Sequence, residues 1–228
     1  DVYKRQIGLC SRDSYRQVFR WLRRYQKDDT PGRSTLCEAR KSIGPAPLRV
    51  LAEEVIELQG KPDTPQAFYS GMRLMAVDSF VVDVPDTPAN DRAFGRPGND
   101  RAPGAFPQAR VLSLCETGTH VLWRSLIKPQ CRSELLMAHY LMRFLEQDML
   151  LLWDRGFLSY ELVRAVRLRR AHLLARVKTT LILKPIRRFK DRSFLAKLYP
   201  SPHAREMDRD GLLVRVIEYT LKDPGRSG

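Results

Sequence analysis

Two aspartates stand out because of the apolar company they keep. Asp78 lies inside the run Leu74-Met-Ala-Val-Asp-Ser-Phe-Val-Val82. Burying a carboxylate in such a strand is costly unless a partner compensates its charge, and a divalent cation would do so. An aspartate on the solvated face of a half-buried strand needs no such partner. Asp154 closes the run Met149-Leu-Leu-Leu-Trp-Asp154 and precedes Arg155-Gly156-Phe157. The carboxyl end of a buried strand, just before a glycine turn, is where open α/β sheets hold their ligands. It is equally a common place for an ordinary turn aspartate. If the two carboxylates converge, they suit Mg²⁺, which takes oxygen ligands and keeps several waters. Two such ions, roughly 3.5–4 Å apart, can activate an attacking oxygen and stabilise a leaving one in an in-line phosphodiester displacement.

Charge favours a polyanionic partner, the alternative being a basic protein with none. Forty Lys and Arg against twenty-six Asp and Glu leave +14 on 228 residues, which favours nucleic acid first and an acidic membrane surface second. Arg164, Arg167, Arg169, Arg170, Arg176, Lys178, Lys184, Arg187, Arg188 and Lys190 follow closely on Asp154. They suit a phosphate-tracking surface, whose contacts give affinity and salt dependence rather than sequence choice. Asn90 and Arg155 flank the aspartates and suit either DNA or water positioning or plain turn and surface roles. Trp153 reads as core.

Cys10, Cys37, Cys115 and Cys131 lie far apart, with no ligand spacing, and read as reduced, mostly buried thiols. The four histidines are equally scattered, so no zinc site is expected. No apolar run reaches the roughly 18 residues of a membrane span, and no signal peptide is recognisable. A soluble, cytoplasmic protein with no membrane partner is expected. Asp1–Gln6 resembles a translated sequencing-adaptor remnant.

The elements that must position the aspartates follow from periodicity. Residues 11–27 read as a helix, with Tyr15, Val18, Phe19, Leu22 and Tyr25 on one side and a basic face that suits phosphate or solvent equally. Thr35 to Glu38 has capping-box spacing for a second helix ending at Gly44, and Pro45-Ala-Pro47 opens a third that stops at Gly60. Strands are predicted at 73–83, 111–115 and 120–127, the last two joined by a hairpin turn at Glu116-Thr-Gly-Thr119. The Pro/Gly/Asn-rich stretch 85–107 is long enough for a functional or mobile loop. A helix capped by Ser133, a buried strand 149–153, a helix from Ser159 to about Arg170 and a strand at 172–177 follow. Three β-like runs, 181–188, 194–199 and 212–221, close the chain. The pattern as a whole is mixed α/β (α+β).

Three ordered motifs carry a family resemblance. Met75-Ala-Val-Asp-Ser-Phe-Val-Val-Asp-Val-Pro-Asp-Thr-Pro-Ala-Asn90, followed by Phe94-Gly95, resembles the first-aspartate motif of bacterial insertion-sequence transposases of the "IS-four" group. Leu151-Leu-Trp-Asp-Arg-Gly-Phe157, with His172 to Lys178 after it, is similar to their second-aspartate motif. Ala39 to Leu48 resembles the N-terminal domain of such enzymes. The resemblance implies a DDE site in a ribonuclease H-like domain, with elements in the order βββαβαβ and the first and fourth strands adjacent. Asp78 and Asp154 take its first two catalytic and metal-ligand positions. It also implies two Mg²⁺ ions (or Mn²⁺), cleavage and strand transfer of double-stranded DNA, residence on the bacterial nucleoid when bound, and a homodimer in the synaptic state. Asn90, Arg155, Arg176, Lys178, Arg187 and Arg188 are the candidate DNA contacts.

On this reading residues 7–60 form a helical N-terminal domain, 68–178 the partial catalytic core and 179–228 part of a β-rich insertion. The family has Gly where this chain has Ser79. Its third carboxylate sits in a helix with a Tyr, Arg, Glu, Lys pattern, which neither Glu206 nor Glu218 carries, and Glu218 reads as a strand-face residue. A truncated fragment, inactive alone, is therefore expected. A non-catalytic DNA-binding regulator and a ribonuclease H-like Mg²⁺ nuclease are the competing readings.

Overall fold

The computed structural model describes residues 33–99, 102–177 and 181–219. The expected helix at 11–27 and Lys178 lie outside them. The chain divides into two compact units, Asp1–Val55 and Ile56–Gly228. In the first, α1 (Arg33–Ile43) and α2 (Ala46–Val55) are joined through Gly44, whose φ of 65° is the left-handed conformation a side chain disfavours. The apolar positions Leu48, Leu51 and Val55 of α2 are exposed.

Sequence periodicity carries α2 on to Gly60, but the helix stops at Val55. The reason lies in where the next amides go. Gln59 and Gly60 donate their N–H groups to the carboxylate of Glu116, at 3.1 and 2.7 Å, and not to carbonyls one turn back.

The second unit is mixed α/β. Its elements are β1 (Phe68–Tyr69), β2 (Met72–Asp83), α3 (Pro88–Phe94), β3 (Gly98–Asn99), β4 (Ala102–Pro103), β5 (Gln108–Glu116), β6 (Val121–Pro129), α4 (Glu134–Leu141) and β7 (Met149–Trp153). Then come α5 (Tyr160–Leu168), β8 (His172–Ala175), β9 (Arg187–Arg188), β10 (Phe194–Leu198), α6 (Pro202–Glu206) and β11 (Leu212–Val216). The main sheet has the order β6-β5-β2-β7-β8, with β1 added against β2. β2, β5 and β6 pair antiparallel, whereas β7 and β8 run parallel to β2, so the sheet is mixed.

Alternation decides what each face does. Met75 and Val77 of β2, Leu112 and Leu114 of β5, and Met149, Leu151 and Trp153 of β7 are buried against Met137, Ala138 and Leu141 of α4 and Leu162, Val163 and Val166 of α5. Each fully buried leucine here contributes about 1.5–3 kcal/mol relative to exposure. Trp153 is core, as its neighbours suggested. The opposite face is more open: Leu74, Ala76, Leu150 and Leu152 are half-buried and Phe80 is exposed.

The stretch 85–107 is built rather than loose. Thr87 caps α3 by accepting the Asn90 N–H, and Arg96 ties the excursion together through Asp86 at 2.6 Å, Asp91 at 3.2 Å and the Ala105 carbonyl. Further on, the β-like run 181–188 is strand only at Arg187–Arg188, and β11 ends at Val216, so Glu218 lies beyond a strand and not on its face. Cys131 is exposed and Cys115 half-buried, so these two thiols are less buried than expected. Among the described residues no helix is long and apolar enough to cross a membrane.

One buried charge joins these parts. Glu116, fully buried at the end of β5, accepts from Gly60, Gln59, Thr119 and Arg73. A Cβ at Gly60 would stand 2.8 Å from that carboxylate, so the approach requires glycine. Burial alone would raise the Glu116 carboxyl, but donation from Thr119, Gly60, Arg73 and Gln59 outweighs it and holds the group below its ordinary 4.5. A depressed carboxyl stabilises the fold above the unfolded value, and that contribution is lost as pH falls through the lower folded value. Glu116→Ala is expected to cost about 3 kcal/mol at pH 7, because it strands Arg73 and two amides. Urea denaturation should show the gap between variant and wild type shrinking below about pH 4; a gap independent of pH would contradict this account.

Candidate active site: two aspartates on adjacent parallel strands

The ladder between β2 and β7 runs toward the two aspartates. It pairs Arg73 with Met149, Leu74 with Leu150, Met75 with Leu151 and Ala76 with Leu152 and ends there. Asp78 lies two residues further along β2, and Asp154 follows directly on Trp153, the last residue of β7; the same offset, if continued, would bring the two level. Asp154 keeps an extended backbone (φ −80°, ψ 163°) before the 3-10 turn Arg155–Phe157 begins. Residues directly opposite on neighbouring strands project to the same face. Both aspartates therefore belong to the open face, with Leu74, Ala76, Leu150 and Leu152, and both are exposed.

Each carboxylate is lightly held. Asp78 accepts the Ser79 N–H at 2.8 Å, and Asp154 lies 3.5 Å from a guanidinium nitrogen of Arg176. Ser79 points the other way and donates at 2.6 Å to Glu134, which Arg110 also contacts. That link ties β2 to the first turn of α4 beside Asp78. It also shows Glu134 to be engaged on the helix-covered face, away from the aspartates. Among the described residues no cluster of three or more His, Cys, Asp or Glu is placed to hold a metal.

The remaining candidates scatter. Arg176 sits against Asp154. Asn90, on α3, spends its side-chain amide on the Pro85 carbonyl at 2.8 Å, which closes a turn. Arg187 and Arg188 lie on β9 in a separate three-stranded sheet, stacked over Phe189 and Phe194. Among the described residues, no hydrogen bond or ion pair joins Asn90, Arg187 or Arg188 to either aspartate. Arg155 opens the turn after Asp154. The basic run after Asp154 is thus divided among different surfaces. In the sequence Glu116 reads only as the start of a hairpin turn, whereas the structure makes it the buried last residue of β5, and Glu134 carries no recognisable signal.

Comparison with known proteins bears on the motifs these aspartates occupy. The chain is 28% identical over 175 residues to the transposase InsG of insertion sequence element IS4 from Escherichia coli K12, a match covering 76% of the chain and 39% of InsG. It is 26% identical over 132 residues to InsZ, a protein named as a transposase from the same organism, covering 58% of the chain and 44% of InsZ. The chain is thus similar in sequence to insertion-sequence transposases. It spans about two-fifths of the length of these relatives. No protein-family model matches it. Among solved structures, the piggyBac transposase synaptic complex with hairpin DNA aligns with 82% of this chain and 40% of that one, at 13% identity and a TM-score of 0.40.

The register makes a geometric prediction independent of any transposase chemistry. In a background with Cys10, Cys37, Cys115 and Cys131 changed to serine, the pair Asp78→Cys and Asp154→Cys should close a disulfide under mild oxidation. Opposed Cα atoms on adjacent strands fall within the roughly 4.4–6.8 Å a disulfide needs. Mass spectrometry of the tryptic digest would show the linked peptides, whereas two free thiols after oxidation would place the residues out of register.

Proposed function

We propose that the second unit is part of a ribonuclease H-like catalytic core of a DDE-type DNA transposase, with Asp78 and Asp154 as two of its catalytic carboxylates. The observation that supports this reading is that β7, which ends one residue before Asp154, runs parallel beside β2, which carries Asp78. The sequence relation to insertion-sequence transposases and the charge of +14 support it.

The donor set fits a hard cation. Two exposed carboxylates, one held only by a backbone amide and the other by a long contact to Arg176, leave oxygen lone pairs free. Bound there, Mg²⁺ would supply Lewis-acid stabilisation and an activated oxygen for phosphodiester cleavage and transfer. The protein's own residues do the positioning. Pairing of β2 with both β5 and β7 fixes Asp78, and the Ser79–Glu134 hydrogen bond holds its strand against α4. Arg176 holds Asp154 in the resting state and is placed to accept a DNA phosphate in its stead. The substrate on this reading is double-stranded DNA, and two copies of the complete enzyme bring paired element ends together.

Metal binding tests the site without requiring turnover. Mn²⁺ titration of this chain, followed by water-proton relaxation, should show binding that Asp78→Asn or Asp154→Asn abolishes. In a protein spanning the full length of the relatives, either variant should reduce DNA cleavage and strand transfer below detection while duplex binding persists. Retained cleavage in either variant would overturn the assignment.

A further inference from the structure

The helix-covered side of the main sheet carries a second concentration of positive charge, in a groove of about 500 Å³ between α4 and α5. Glu161 and Arg164 of α5, at i and i+3, and Arg169, the residue that caps its C-terminus, line one side of it. His139 and Arg143 face them from α4 and the 3-10 turn that follows it, and Met142 is the buried floor. Three arginines thus stand against one carboxylate.

These guanidinium groups are available. Arg143 is stacked 3.7 Å from the Tyr140 ring and 4.9 Å from Phe144, which fixes its plane while leaving most of its N–H donors uncommitted. Arg164 has only a 3.9 Å contact to Glu161, with both side chains more than half exposed. Such a pair is worth little and yields readily to a stronger acceptor. Among the described residues, Arg169 meets no side-chain acceptor. Arg143, held by the Tyr140 hydroxyl and the two rings, together with Arg164 and Arg169 lines an open groove whose spare guanidinium donors match the spaced anions of a phosphodiester backbone.

We propose that this groove docks the phosphate backbone of duplex DNA, on the face of the sheet opposite Asp78 and Asp154. The inference rests on the reading of the chain as a DNA-acting protein and adds a contact surface to it. Because the groove and the aspartates lie on opposite faces, the DNA held here is not the strand in reach of the carboxylates. It is a separate segment of duplex, held by charge and without base readout.

The test is fluorescence anisotropy of a labelled 30-base-pair duplex with the whole chain across a series of salt concentrations. The double variant Arg164→Gln/Arg169→Gln should bind on the order of tenfold more weakly at about 0.15 M salt, with a salt slope shallower by about 1.8. Glu161→Gln should bind more tightly than wild type, a change of sign that damage to the fold would not mimic. Unchanged affinity and slope in both variants, with wild type still binding, would overturn the groove and leave the aspartate site standing. Failure of wild type itself to bind duplex would overturn both.

Discussion

Much of this fold depends on the parallel pairing of β2 with β7. Antiparallel strands can follow one another through tight turns, as β5 and β6 do, while β2 reaches β5 through the 85–107 excursion; all three lie on one side of the sheet. A parallel neighbour requires the chain to cross over. That crossing is made by α4 and the turn after it, whose apolar side covers one face of the sheet before β7 enters beside β2. β2 therefore has a partner along both edges, and its register is determined twice. A slip of one residue would turn Met75 and Val77 out of the core and Asp78 into it, which the packing against Leu114, Leu151 and Leu162 forbids. The position of Asp78 is thus a consequence of core packing on the opposite face.

Much of the second unit was legible in the sequence because its signals are local. Alternation from Arg73 to Asp83, the five-residue apolar run ending at Trp153, and Ser159 ahead of an amphipathic stretch each specify an element from a few neighbouring residues. What was not legible depends on partners distant in sequence. The end of α2 at Val55 follows from amides at 59 and 60 being drawn to a glutamate 56 residues away. The stretch 85–107 reads as a loop by composition, yet one arginine reaching two aspartates and a carbonyl organises it. The run 181–188 has β-like composition but pairs only at its end, since a strand needs a neighbour as well as a propensity.

The same distinction separates the candidate site from the candidate DNA contacts. The aspartates were singled out because a carboxylate in an apolar run is conspicuous, and the strand order sets β7, which leads into Asp154, beside the strand that carries Asp78. The basic residues between 164 and 190 look like one patch when read along the chain. In the fold, the turn of α5 sends Arg164 and Arg169 to the helix side, Arg176 stands by Asp154, and Arg187 and Arg188 stack on aromatic rings in another sheet. Charge count survives folding, but adjacency does not.

The fold also treats its carboxylates in two different ways, and the contrast gives the aspartates their meaning. Glu116 is buried and surrounded by four donors, so its charge is fully compensated within the protein. Asp78 and Asp154 face outward with one amide and one distant guanidinium between them. Neither charge makes an internal ion pair stronger than that long contact, so neither does much for the stability of the sheet. Keeping both, on an open face and without internal donors, is reasonable when the compensating charge comes from outside the chain. On the function proposed above a divalent cation would supply it, and a phosphodiester substrate would account for a basic protein around an acidic pair.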